Sequence, residues 1–346
     1  MPSKNELIYP FTAIVGQELM KRAFLLNVIN PNIGSILLKG PDGIGKATAA
    51  RAISEIFPKI TTVKDCAFRC DPREVESLCF WCMMKYQEGR LESDVGFPQL
   101  VEIRADTITP EEFTGKIVSS REEVIEIDYR KGEEIKHTDC LKIDEENYLK
   151  SGVATHLNRG MLFVENINQL DDEVVDILVD MLETRINTLT SETAAIVHPA
   201  HFILIGTINT EEWAVNPKLE RAITIHLDLT ESQTLEERIE IMERRREFES
   251  HPILFRRTYE PHQVALRNRI TKARELLTHV KTPEYLLRTL TRIAVDFDIA
   301  EAKARKIEDV AQTLAAYHGR NNVVSDDLAH AIELIVPEEE IISEIA

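Results

Sequence analysis

Positive charge is in short supply in this 346-residue sequence: 41 Lys and Arg face 59 Asp and Glu, for a formal net charge of −18. Polyanions are held chiefly by Lys and Arg, so a nucleic-acid partner is not expected. The dense basic run "ERRREFE" (Glu243 to Glu249) reads as a solvated helix face carrying both signs. Long apolar runs are missing too. None approaches the ~20 residues that a bilayer span needs. The N-terminal "MPSKNELIYPF" lacks the apolar core of a signal peptide. A cytoplasmic protein without a membrane partner is the expectation. The ten His are scattered, and none stands at metal spacing with an acid, so no catalytic zinc is expected.

What is present is the composition of a globular protein, 43% hydrophobic and 29% charged, long enough for two domains. Apolar runs at Ser35–Leu38 ("SILL"), Gly160–Ile167 ("GMLFVENI") and His201–Asn209 ("HFILIGTIN") predict buried strands. Between the last two, "DDEVVDILVDMLETR" places Val174, Ile177, Leu178, Met181 and Leu182 on one helical face. Strands alternating with helices predict an α/β fold with a parallel sheet covered on both faces. After Leu229 nearly everything reads as helix, with a stop at Gly319 and Ser325 as N-cap of the last one. The predicted domains are an α/β nucleotide-binding domain over 1–250 and a helical domain over 251–346, the boundary lying between Glu247 and Pro261. A polar stretch of about 90–157 reads as an insertion containing a hairpin turning near Lys131-Gly132.

"GPDGIGKAT" carries the clearest chemistry. Gly40, Pro41, Asp42, Gly43, Ile44, Gly45, Lys46, Ala47 and Thr48 follow a predicted strand and open a predicted helix. That is the context of a phosphate loop, in which backbone N–H groups cradle phosphates and Lys46 adds charge. Ala47 stands where a Mg²⁺-ligating hydroxyl is usual. Thr48 lies about 100° further round the helix and does not replace it. In "RGMLFVEN" the two residues after the apolar run normally supply a metal carboxylate and a water-polarising carboxylate. Here they are Glu165, one methylene longer than Asp, and Asn166, which cannot act as a base.

At these motifs the chain resembles the I subunit of magnesium chelatase, an AAA+ ATPase family related to the MoxR-type proteins. The likeness runs through "IVGQELMKRAFLLNVINP", "NRGMLFVENINQLDDEVVDILVD", "HPAHFILIGTINTEE", "ERIEIMERRREF" and "LAAYHGR", and includes "VEIRAD". It implies an AAA+ P-loop fold with a C-terminal helical lid, ATP with Mg²⁺ at a weakened site, and rings formed with itself or with other chelatase-type subunits, a D-type partner among them. The Asp-x-Ser-x-Ser adhesion signature of the D-type subunit is absent from this chain. The resemblance further implies a sensor role for Asn209 and an inter-subunit arginine finger at Arg221, whose bland alternative is a surface arginine in a local ion pair. It implies a second sensor arginine near Ala302, Lys303 or Arg305. The activity implied is ATP-driven remodelling of a partner for metal insertion into a tetrapyrrole. Ala47, Glu165 and Asn166 keep open the alternative of a hydrolysis-poor, nucleotide-holding scaffold or regulatory subunit.

Cys66, Cys70, Cys79 and Cys82 form Cys-x3-Cys, eight residues, then Cys-x2-Cys. Two close pairs joined by a short loop can converge four thiolates on one metal. Zinc is the first expectation and an iron–sulfur cluster the second. Cys140 is assigned nothing.

Overall fold

A computed structural model describes residues 7–118, 125–128, 133–136, 140–144, 147–192, 194–209, 214–229 and 234–336. The chain begins with α1 (Glu18–Ile29), β1 (Ser35–Lys39) and α2 (Lys46–Ile53). Next come β2 (Ile60–Val63), α3 (Phe80–Gln87), β3 (Ser93–Gly96) and β4 (Leu100–Arg104). The polar region holds α4 (Pro110–Thr114), β5 (Gly115–Val118), β6 (Ile125–Asp128), β7 (Glu133–Lys136), β8 (Cys140–Lys142) and β9 (Tyr148–Ser151). After it follow β10 (Met161–Glu165), α5 (Asp172–Thr184), β11 (Ile186–Thr190) and β12 (Ala195–Pro199). Then come β13 (Ile203–Ile208), α6 (Pro217–Ala222) and β14 (Ile225–Asp228). Helices α7 (Leu235–Ser250), α8 (Pro252–Leu277), α9 (Glu284–Asp296), α10 (Glu301–Tyr317) and α11 (Ser325–Ile335) close the described chain.

These elements form two compact units, each discontinuous in sequence. The first comprises Met1–Pro58, Ile203–Ala214 and Ile223–Ala346. In it β1 pairs in parallel with β13 on one side, Leu37 opposite Gly206, and with β14 on the other, Ile36 opposite Ile225. All six residues of β13 are buried, as are the first four of β1. Such strands read as unbroken apolar runs because both faces are covered. The C-terminal helices belong to this same unit. Arg274 on α8 donates from Nε to the Val28 carbonyl at the end of α1, 2.9 Å away. Arg256 of α8 pairs with Glu55 at 2.7 Å.

The second unit comprises Lys59–Phe202 and Val215–Ala222. Its parallel pair is β10 with β4, Met161 opposite Leu100 and Glu165 opposite Arg104. Antiparallel pairing joins β11 to β12, β2 to β3, and β5 to β9 to β8. Helix α5 starts where Asp171 accepts the Glu173 N–H at 2.9 Å, a side-chain cap. Its buried residues are Val174, Val175, Leu178 and Met181; of the expected face Ile177 and Leu182 are half-buried, and Val175 is buried in addition.

Two expectations need correcting. The polar stretch 90–157 is not all insertion, since β4 inside it is the parallel neighbour of β10. Of the five residues of β4 only Ile103 is buried, and Glu102 and Arg104 are exposed, so "LVEIR" lacks the apolar continuity of the other strands. The helix break at His251 lies within the expected boundary range Glu247–Pro261, and α8 runs on through Pro261. Val324, not Ser325, is the N-cap of α11, its N–H donating to the Asp327 carboxylate at 3.0 Å. The His251 break stands at the expected 250/251 position, and the residues on both sides of it belong to the first unit. The hairpin is present as antiparallel β6 and β7, whereas Lys131 and Gly132 lie outside the described residues.

Candidate functional site

The candidate phosphate loop, Gly40–Thr48, follows β1 directly. Gly43 and Gly45 sit at φ +81° and +95°, and at both a Cβ would meet no atom within 4 Å. Positive φ is a conformation that glycine adopts without steric cost. The open space above it is what a phosphate chain requires. Gly45 caps α2 with no side-chain acceptor, which leaves that helix end suited to an anion. Lys46 donates from Nζ to the Gly40 carbonyl and, at 3.0 Å, to the Pro41 carbonyl, so its charge lies against the loop. Ala47 is half-buried and offers no oxygen, while Thr48 is exposed.

Asn209 belongs to the same unit and stands one residue beyond β13. Lys39 lies opposite Ile208, and the Gly40 N–H donates to the Ile208 carbonyl at 3.2 Å. Strand pairing therefore brings Asn209 beside the entrance of the loop.

Glu165, Asn166 and Arg221 fall in the second unit. Glu165 ends β10 half-buried. Asn166 takes φ +55° and begins a short 3-10 turn, Ile167–Gln169. Among non-glycine residues Asn is one of the few that tolerates this left-handed region. Arg221 is exposed on α6, and its Nε donates back to the Pro217 carbonyl at 3.0 Å. The helix is anchored by Asn216, donating to Asp172 at 2.7 Å, and by Lys218 paired with Asp176 at 2.5 Å. Of the second-sensor candidates on α10, Arg305 pairs with Glu301 one turn back at 2.5 Å.

The four cysteines lie elsewhere in the second unit. The sulfurs of Cys66, Cys70, Cys79 and Cys82 all lie within 4.8 Å of one another, with Cys66 half-buried and the rest buried. They are free thiols, and the sulfurs of Cys66 and Cys79 are 3.9 Å apart. Val63, Phe68, Leu149, Leu189 and Ile196 surround them. Phe68 stacks on His198 at 4.2 Å and on Trp81 at 5.6 Å. Burial pulls His198 down to about 4, so it is neutral at pH 7. Its Nε2 accepts from Asn187 Nδ2 at 3.0 Å and its Nδ1 faces the Pro199 carbonyl at 3.1 Å.

Comparison with known proteins now separates the families that could own such a loop. A magnesium-chelatase subunit ChlI homolog from Methanocaldococcus jannaschii is 34% identical over 333 residues, spanning 96% of this chain and 85% of that protein. The chain belongs to the magnesium chelatase subunit I family. The family model described as "Magnesium chelatase, subunit ChlI" matches residues 120–252. Subunit ChlI from Nostoc sp. is 33% identical over 340 residues, covering 96% of this chain and 84% of its own. Among solved structures, a complex between subunits BchI and BchD of magnesium chelatase matches with TM-score 0.51 and 24% identity, over 98% of this chain and 99% of that one. A Cytophaga hutchinsonii protein matches with TM-score 0.55 and 14% identity, over 94% of this chain and 83% of that one. The fold is therefore that of the AAA+ P-loop proteins, with helices forming the C-terminal region. Among the described residues no helix is long and apolar enough to cross a membrane.

Sequence reasoning missed Asp71, Asn158 and Arg159. Asp71 is buried and pairs with Arg159 at 2.9 Å and with Arg73 at 2.8 Å. Its carboxyl is held below the usual range by its Arg73 and Arg159 contacts, against the opposing effect of burial. The only signals were an acid directly after Cys70 and the "NRG" ahead of β10.

Proposed function

We propose that this chelatase-family chain binds ATP at Gly40–Thr48 and acts as the I-type subunit of a ring, remodelling a partner so that a metal ion enters a tetrapyrrole. The supporting observation is the loop itself: two glycines at positive φ beneath open space, ahead of an uncapped helix end, with Lys46 at its first position. The backbone N–H groups of that end and the Lys46 ammonium bind the phosphates. Bound nucleotide supplies a phosphoanhydride whose cleavage drives the cycle. Magnesium fits less well, because Ala47 has no oxygen to give and Glu165 alone supplies a carboxylate at the second motif. Asn209 orients groups near the loop entrance, and residues 251–346 serve as the helical lid. Arg221 reaches a nucleotide held by the neighbouring subunit, the ring being formed with copies of this chain or with a D-type partner. A structural metal at Cys66, Cys70, Cys79 and Cys82 forms part of the same reading.

One observation favours a second reading. Asn166 holds the position of the catalytic carboxylate in a backbone conformation suited to Asn. With neither base nor hydroxyl ligand, this site would hold nucleotide and turn it over slowly, serving as scaffold or regulator in a mixed ring. Titration calorimetry with ATP and ADP on the native chain and on Lys46→Ala, alongside steady-state ATP turnover, tests both. Unchanged affinity in Lys46→Ala removes the loop from the mechanism. Native turnover of about 1 per second or faster removes the slow-site reading.

A further inference from the structure

We infer that the four cysteines hold a single zinc ion rather than an iron–sulfur cluster, and that this zinc knuckle anchors the lead-in to β10, the strand that carries Glu165 and Asn166. The inference rests on the structural metal read above and gives it a nuclearity and a task.

Sulfur spacing decides the nuclearity. A tetrahedral ion with Zn–S bonds of about 2.3 Å sets its sulfurs about 3.8 Å apart. Cys66 and Cys79 stand at 3.9 Å, and no pair among the four exceeds 4.8 Å. A cluster puts several metal ions and bridging sulfides between its cysteines, and so needs them further apart. The backbone turns as a knuckle must. Asp65 and Arg69 both take positive φ, the Arg69 N–H donates to the Cys66 carbonyl at 3.1 Å, and the Val63 N–H donates to the Cys70 carbonyl at 2.9 Å. The Cys79 N–H donates to Cys70 Sγ at 3.2 Å, an outer-shell bond that steadies a thiolate. For one divalent ion in a four-thiolate site, zinc outcompetes ferrous iron in the usual affinity order.

The task follows from what the knuckle touches. Between Cys66 and Cys70, the Phe68 carbonyl accepts from Asn158 Nδ2 at 2.8 Å. Directly after Cys70, the buried Asp71 carboxylate meets Arg159 Nη2 at 2.9 Å. Asn158 Oδ1 accepts from the His201 N–H at 3.2 Å, and the Arg159 N–H donates to the His201 carbonyl at 2.6 Å. Arg159 also reaches the Thr61 carbonyl from Nη1, at 2.5 Å. Two residues later β10 begins. Asn158 and Arg159 therefore tie the knuckle to that strand, and four converged sulfurs without an ion give the 66–82 segment little reason to keep Phe68 and Asp71 in place.

The test uses the full chain purified without chelator. Elemental analysis should find about one zinc per chain, and exchange into Co²⁺ should give the visible spectrum of a four-thiolate tetrahedral site. Absence of metal with four titratable thiols in the folded chain, or iron with its visible absorption, overturns the zinc assignment. Hydrogen exchange is then followed at 158–165 with zinc in place and after its removal. Protection there should fall at least tenfold on removal, whereas unchanged protection alongside a loosened 66–82 segment overturns the anchoring role. Should the stripped chain unfold, Asp71→Asn and Asn158→Ala answer the same point. Each should keep its zinc and the cobalt spectrum yet lose protection in 158–165, and full protection in both variants overturns it.

Discussion

Asn30 at the end of α1 and Thr313 in the middle of α10, 283 positions apart, share a buried hydrogen bond of 3.1 Å from Nδ2 to Oγ1. It is one of the ties that join the first helix to the C-terminal helices of the same unit. Replacing Thr313 by Val keeps the shape but strands a buried amide, which costs about 1–3 kcal/mol. Chemical denaturation should show that loss in the first unit, with zinc content unchanged. A variant as stable as the native chain would mean that Asn30 finds another partner.

Gly160 has no room for a side chain. A Cβ there would lie 2.6 Å from the Gln99 carbonyl oxygen, a backbone atom that cannot swing away. Gly160→Ala should therefore destabilise the chain by about 3 kcal/mol or more, by forcing β10 and its approach apart. A thermal midpoint within a degree or two of the native value would contradict this.

Restoring the hydrolytic residues should speed turnover. Ala47→Ser, Glu165→Asp and Asn166→Glu combined supply the metal ligand and a base, and base catalysis alone is worth ~10²–10⁴-fold. At least a tenfold rise in ATP turnover is expected. Asn166→Glu carries a cost of about 1–2 kcal/mol, because Glu does not favour the left-handed backbone at φ +55°. Stability and rate should therefore move in opposite directions. A triple variant no faster than the native chain would place the defect elsewhere.

Arg221→Ala should leave nucleotide affinity of the isolated chain within about twofold while weakening nucleotide-dependent assembly or the turnover of the assembled ring. An arginine finger is worth ~10³–10⁵ in rate. Light scattering with and without ATP, alone and with a D-type partner, reads assembly. A monomer under every condition, or a ring indifferent to the substitution, would reduce Arg221 to a surface side chain.

His198 gives the second unit an acid sensitivity. Its native pKa is lowered by burial to about 4, below the ordinary ~6.5 of an unfolded histidine. The unfolded state thus takes up a proton first, and stability falls as pH drops from about 6.5 towards 4, with no contribution from this group above 7. The loss should not exceed about 3 kcal/mol, and His198→Gln should flatten that part of the profile. An equal slope in the variant would assign it to other groups.

How much could be read in advance follows the range of each interaction. β1, β10 and β13 were legible because strands covered on both faces are unbroken apolar runs. The convergence of the four cysteines was legible because close Cys pairs joined by a short loop are a local pattern. β4 was not, because its exposed Glu102 and Arg104 break the apolar run. Nor were Asp71 and Arg159 legible as a pair: nothing local to either predicts the other, and only folding brings them within 2.9 Å. The split into two units was hidden for the same reason, since it depends on which distant segments meet.

That split sets an order on synthesis. The first 58 residues belong to a unit that also needs Ile203–Ala214 and everything from Ile223 onward. A ribosome therefore releases α1, β1 and the phosphate loop long before β13, β14 and α10 exist to receive them. The intervening 59–202 segment is nearly all of the second unit, lacking only Val215–Ala222, and can begin to fold while the first is still unfinished. Nucleotide, if it meets the nascent chain, finds a loop without its neighbouring strands until β14, ending at Asp228, has been made.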